Sequence, residues 1–164
     1  MTTPPERQWT EEEEDLLLDA EVLLEKGNIE EAEAYYDKAL ELYRQAMSIF
    51  NKLDHLKGVI EGHRKIAAVY HKQGDYVRAM REMQRSLKIA EQHGYLLLKA
   101  DAHNGLGAVL QERGEYREAL RHYDRSLLIS QKTGDRFREA RCLGNKGNIY
   151  RLQGQSDQAV SHYR

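Results

Sequence analysis

Chemistry in this 164-residue chain would have to come from its seven histidines, its single cysteine, or its arginines and asparagines. His63 and His103 are 40 residues apart, as are His122 and His162. Members of such pairs would occupy matching places on neighbouring structural units. Packed helices lie about 8–10 Å apart, too far for two imidazoles to share an ion held at roughly 2 Å from each. No metal site is expected. Cys142 has no second cysteine to pair with, and the expected role is that of a packed structural thiol. "GLG" at Gly105–Gly107 begins a Gly-x-Gly, but "AVL" follows and no strand precedes, so it reads as a close-packed helix and not a phosphate loop. Without a nucleophile–base pair or paired carboxylates at a recognisable spacing, no catalytic residue and no cofactor is expected.

The remaining chemistry is recognition by arginines and amides, and it depends on the elements that place them. Gly74, Gly114 and Gly154 stand 40 residues apart, and Gly27 precedes Gly74 by 47. Five residues after each glycine comes an alanine (Ala32, Ala79, Ala119, Ala159), and nine after comes Tyr36, Met83, Tyr123 or Tyr163. Small residues recur seven before (Ala20, Ala67, Gly107, Gly147), with Leu23, Tyr70, Leu110 or Tyr150 four before. Agreement at this many offsets marks an internal repeat. The glycine ends one helix in the left-handed conformation, and small residues let the two helices of a hairpin approach closely. Apolar spacing of three and four, as in Ile66, Ala67 and Tyr70, is helical throughout. Thr10 with Glu13, and Asn28 with Glu31, have capping-box spacing. "EEEED" at Glu11–Asp15 fits a helix first turn, where carboxylates oppose the positive end of the dipole.

This series resembles the tetratricopeptide repeat family from about Leu16 onward, with 40-residue units similar to those of kinesin light chains and Pins-type adaptors. "GNKGNIY" at Gly144–Tyr150 and "KTGDR" at Lys132–Arg136 strengthen the likeness. The resemblance implies an all-α, right-handed solenoid of antiparallel helix hairpins, with three full repeats and part of a fourth. Residues 1–9 are expected to form a flexible tail and residues 10–164 the solenoid, truncated within its fourth repeat. The longer first interval predicts a second helix of about 25 residues, since two added turns absorb seven residues. Its far end carries Met47, Ile49, Phe50 and Leu53, which are expected to pack on the next hairpin. The unfinished fourth hairpin is expected to expose apolar surface near Ile149, Val160 and Tyr163, permitting self-association.

Arrays of this family bind partners on a concave face lined by their first helices. Residues thirteen, ten, six and three before each glycine point roughly 130° or more away from the packed side. In repeat one they are Glu14, Leu17, Glu21 and Leu24, in repeat two Glu61, Arg64, Ala68 and His71, and in repeat three Asp101, Asn104, Ala108 and Gln111. Repeat four gives Arg141, Gly144, Asn148 and Arg151. Small residues leave room for a ligand backbone, while arginines and amides bond its carboxylates and carbonyls. By resemblance, Asn145 and Asn148 hold an extended peptide, although Gly105 and Ala108 break the asparagine ladder in repeat three. The expected peptide-binding set is therefore Arg64, His71, Asn104, Gln111, Arg141, Asn145, Asn148 and Arg151.

The expected function is a non-catalytic scaffold that binds a protein or peptide segment, extended and carrying a carboxylate. Two alternatives are a sensor or regulatory module within a larger bacterial protein and a self-assembling array. A net charge of −2 gives no general attraction to nucleic acid or anionic membrane. No apolar run reaches the roughly 20 residues that span a bilayer, and no secretory signal opens the chain. A cytoplasmic location is expected.

Overall fold

The computed structural model describes residues 8–154, which form seven helices and no strand among them. These are α1 (Glu11–Ala32), α2 (Tyr36–Lys52), α3 (Leu56–Lys72), α4 (Tyr76–Gln92), α5 (Leu96–Glu112), α6 (Tyr116–Thr133) and α7 (Arg136–Leu152). Positive φ recurs at every twentieth residue: Ala34, Asp54, Gly74, Gly94, Gly114, Gly134 and Gly154. Each of these from Ala34 to Gly134 reverses the chain between two helices, so one repeat is two arms of equal length.

That rhythm corrects the first repeat. Its turn is Ala34, with φ 62°, and the interval to Gly74 is 40 residues like the others. Gly27 lies buried inside α1, seven before the turn, where Gly107 stands in a later repeat. A Cβ on Gly27 would lie 2.5 Å from Tyr43 Cε1, and one on Gly107 would lie 2.6 Å from Tyr123 Cε1. Both glycines are kept by close approach of an aromatic ring, not by a turn. Hence α2 has 17 residues and contains no insertion. Asn28 and Glu31 lie within α1 and cap nothing; both accept from the Tyr43 hydroxyl, at 2.9 and 2.7 Å. The groove positions of repeat one shift accordingly, from Glu14, Leu17, Glu21 and Leu24 to Glu21, Leu24, Asn28 and Glu31. Thr10 does form a reciprocal capping box with Glu13.

The chain divides into two compact units, Met1–Gly62 and His63–Arg164, with the division inside α3. In the first, the α1–α2 hairpin buries Ala20, Ala39, Tyr43 and Ala46, and Phe50 and Leu53 are buried at the end of α2. Phe50 presses on the backbone at Gly58 and Met47 on that at Gly62, so the end of α2 packs on the start of α3 as expected.

In the second unit α5 is central and packs against α4, α6 and α7. Contact on several sides explains why Ala100, Ala102, Leu106, Gly107, Val109 and Leu110 are all buried, since a helix covered all round has no polar face to spare. Leu110, Ala119, Tyr123 and Ile149 form one cluster across α5, α6 and α7. Ile149 is fully buried there, against the expectation that it would be exposed. Val160 and Tyr163 lie outside the described residues. Ser126 is small enough to let α6 approach α5 and donates to the Ala100 carbonyl at 2.8 Å.

Candidate functional site

The polar centre of the second unit is Asp101 on α5. Its side chain is only 4% exposed, yet it is ringed by arginines. Arg138 on α7 approaches as a fork, Nε to Oδ1 at 3.0 Å and Nη2 to Oδ2 at 2.7 Å. Arg141, one turn further on, donates from Nη2 to Oδ1. Arg64 on α3 places Nη1 3.9 Å from Oδ2. Burial pushes the Asp101 carboxyl up, but the bonds from Arg138 and Arg141 with the charge of Arg64 outweigh it and hold the carboxyl below its usual range. Asp135 orders the same fork from below. It caps α7 by accepting from the Arg138 backbone amide at 2.9 Å, and its other oxygen accepts from Arg138 Nη1 at 2.6 Å.

Beside this cluster, Asn145 Nδ2 donates to Asn104 Oδ1 at 3.0 Å, tying α7 to α5. Gly144 has open space where a Cβ would be. Arg64, Asn104, Arg141 and Asn145 are thus gathered around or next to Asp101. The remaining predicted residues are placed elsewhere on the same helices. Gln111 accepts from the Tyr123 hydroxyl at 3.2 Å. His71 lies 5.8 Å from the Tyr76 ring, with a buried Nε2 that has no hydrogen-bond partner. Asn148 is half-buried, and Arg151 is exposed in the last turn of α7.

Two features went unread in the sequence. Arg138 was missed, although the Asp135–Arg138 spacing repeats that of Asp75–Arg78, where the same cap and ion pair form. Asp101 was expected at a groove position facing away from the packed side, and its burial leaves Arg64 and Arg141 already engaged.

The histidines also pair, but across a hairpin and not along the array. His63 Nδ1 lies 2.7 Å from Glu82 Oε2, and His103 Nδ1 lies 3.0 Å from His122 Nδ1. The two pairs are one repeat apart. Among the described residues no group of three His, Cys, Asp or Glu side chains could hold a metal. Burial, then the neighbouring His122, lowers His103 to a pKa of about 4. A histidine held neutral in the fold and ionisable in the unfolded chain has a definite sign: stability is full above 6.5 and falls as pH drops from there to about 4. Allowing for solvent screening, the loss should be about 2 kcal/mol. Urea midpoints between pH 7.5 and 4.5 should shift less in His103→Leu than in the parent. An equal shift in both would remove His103 from the acid response. Burial also raises the Cys142 thiol, which lies 3.1 Å from Ser126 Oγ, fitting a packed and unreactive cysteine.

The tetratricopeptide repeat family profile matches residues 18–92 and 98–164. This chain belongs to the tetratricopeptide repeat family. No curated protein matches it. Among solved structures, the repeat chain is similar to the Rap conjugation gene regulator of plasmid pLS20 in complex with the Phr* peptide. Identity there is 18% and the TM-score 0.77, covering 96% of this chain and 44% of that one. It is also similar to aspartyl phosphate phosphatase F from Bacillus subtilis (18% identity, TM-score 0.79, 93% of this chain and 40% of that one). The tetratricopeptide repeat domain of Arabidopsis FLU matches at 24% identity and a TM-score of 0.61, over 66% of this chain and 91% of that one. At these identities the likeness establishes the shared fold, an all-α helical-repeat solenoid. The chain spans less than half the length of the first two. No helix among the described residues is long and apolar enough to cross a membrane.

Proposed function

We propose that this repeat protein is a non-catalytic interaction module that holds an extended peptide, bearing at least one carboxylate, on the α3–α5–α7 face of its second unit. The observation that carries this reading is the guanidinium cluster around Asp101. Arg64, Arg138 and Arg141 converge on that carboxylate, and among the described residues the buried Nε of Arg141 has no hydrogen-bond partner. The amides of Asn104 and Asn145 lie beside it, and Gly144 leaves space for a ligand backbone. A peptide carboxylate would satisfy that donor, and the amides its backbone. The peptide in the similar Rap complex supports the same use of the fold. Asn148, His71 and Gln111 extend the proposed contact along the helices, and Arg151 supplies a second cation.

The engaged arginines change how the site is best tested. Reversing Arg141 would set a new carboxylate against buried Asp101 and disturb the fold, whereas Arg151 is exposed. Charge-assisted contacts are worth about 1.5–3 kcal/mol. Arg151→Glu should therefore weaken binding of acidic peptides selected from a library at least about tenfold, while stability stays within about 0.5 kcal/mol. Lys88→Glu, at an exposed position on α4, is the control. Equal loss in both variants, or in neither, would place the peptide elsewhere.

A second reading is favoured by the similar Rap conjugation gene regulator, which is seen with a peptide: this chain would be a sensor or regulatory module of a larger bacterial protein. Peptide binding that alters an effector joined to the same polypeptide distinguishes that reading from a free-standing scaffold.

A further inference from the structure

A separate cavity of about 410 Å³ lies in the second unit, bounded by the ends of α4 and α6 and the first half of α5. Its volume is within the range of small-ligand pockets, about 300–1,000 Å³. One wall is a single stripe of α6, in which Arg125, Leu128, Ile129 and Lys132 follow at intervals of three, one and three residues. Two cations therefore bracket two aliphatic side chains on one helix face. Leu96 and Lys99 of α5 face the same space, and His103 lines it too. Leu96 is 54% exposed and Leu128 53%, so the apolar surface is open to an incoming molecule.

The charges on this cavity are unbalanced. Lys99 is held by Glu91 at 3.0 Å. Among the described residues, Arg125 and Lys132 have no carboxylate partner. Their field reaches the histidine pair behind the cavity, where Arg125 disfavours protonation of both His103 and His122. Two uncompensated cations at the ends of an aliphatic patch recognise a molecule with an apolar body and an anionic end. Bare phosphate would leave the leucines wet, and an uncharged alkane would leave the cations unused.

We infer that this cavity is a second binding site, distinct from the α3–α5–α7 face, for a small amphipathic anion: a short aliphatic chain ending in a carboxylate, sulfonate or phosphate. The tail lies on Leu96, Leu128 and Ile129, and the headgroup pairs with the cation at one end of that patch, Arg125 or Lys132. Nothing in this assignment depends on the peptide reading, since no residue is shared between the two sites.

n-Octanesulfonate is a suitable probe because its headgroup stays ionised at every working pH. Titration into the isotopically labelled chain should shift the amide resonances of residues 125–133 and 96–103 ahead of all others. Octylammonium, with the same tail and opposite charge, should bind at least about tenfold more weakly. The double variant Arg125→Ser, Lys132→Ser changes exposed side chains only and should keep its helical circular dichroism while losing about tenfold in octanesulfonate affinity. Equal binding of the cationic and anionic detergents would overturn the proposal. So would unchanged affinity in the double variant, or shifts centred on α1, whose Leu18 and Ile29 are also exposed.

Discussion

Asp101→Ala should destabilise the second unit by about 3 kcal/mol, one of the two largest losses expected from any single substitution here. Removing one partner of a buried ion pair typically costs about 3–5 kcal/mol, because the opposite charge is left without compensation. The lower end applies, since Arg64, Arg138 and Arg141 keep side-chain exposures of 25%, 24% and 33% and can regain some water. Urea denaturation at pH 7 measures the loss. The pH dependence identifies its source. The folded carboxyl lies below its ordinary value of 3.8, so its contribution is present above that value and disappears only as pH falls beneath it. The histidine contribution is lost between 6.5 and about 4. Asp101→Ala should accordingly leave the histidine step intact and reduce the step at lower pH. A loss under 1 kcal/mol would mean that the arginines do not depend on Asp101. It would also undermine the arginine cluster on which the peptide reading rests.

The fold was largely legible because repetition averages over local ambiguity. Every positive-φ turn from Gly74 to Gly154 is a glycine, and the small and bulky positions recur around alternate ones. The first repeat misled because its left-handed turn residue is Ala34, while a glycine with a different purpose stands seven residues earlier. Left-handed geometry at alanine carries no sequence mark, so the nearest glycine reads as the turn. The alignment of Ala39 and Tyr43 with Ala119 and Tyr123, 80 residues on, was the signal that could have corrected it. At the candidate site, residue types and helix face could be inferred, but burial could not. An aspartate at a groove position looks solvated until Arg138 and Arg141 are seen to reach it from a helix 37 and 40 residues away. The His103–His122 contact was missed for a related reason. Matching places in successive repeats stand 40 residues apart, whereas the two arms of one hairpin meet 19 residues apart.

The second large effect concerns the glycine that the repeat keeps for an aromatic ring. Tyr123 is 1% exposed within the Leu110, Ala119 and Ile149 cluster. Truncation to alanine should cost about 3–5 kcal/mol, as for other large buried side chains. Gly107→Ala should cost about 1–3 kcal/mol from the opposite direction. The added methyl would lie 2.6 Å from the ring, and the gain in helix propensity, about 1 kcal/mol, does not offset a clash with a ring fixed on all sides. The preceding repeat already contains the compensated form of this contact, in which Ala67 packs against Met83 at the equivalent places. Methionine is unbranched and bends around a methyl that a phenol ring cannot avoid. Transplanting that pair as Gly107→Ala, Tyr123→Met should thus be less damaging than the two single changes added together, with a coupling of at least about 1 kcal/mol. Four urea curves complete the cycle. Strict additivity would show that Gly107 is retained for some reason other than the ring. It would also show that the two repeats do not solve the same packing problem in interchangeable ways.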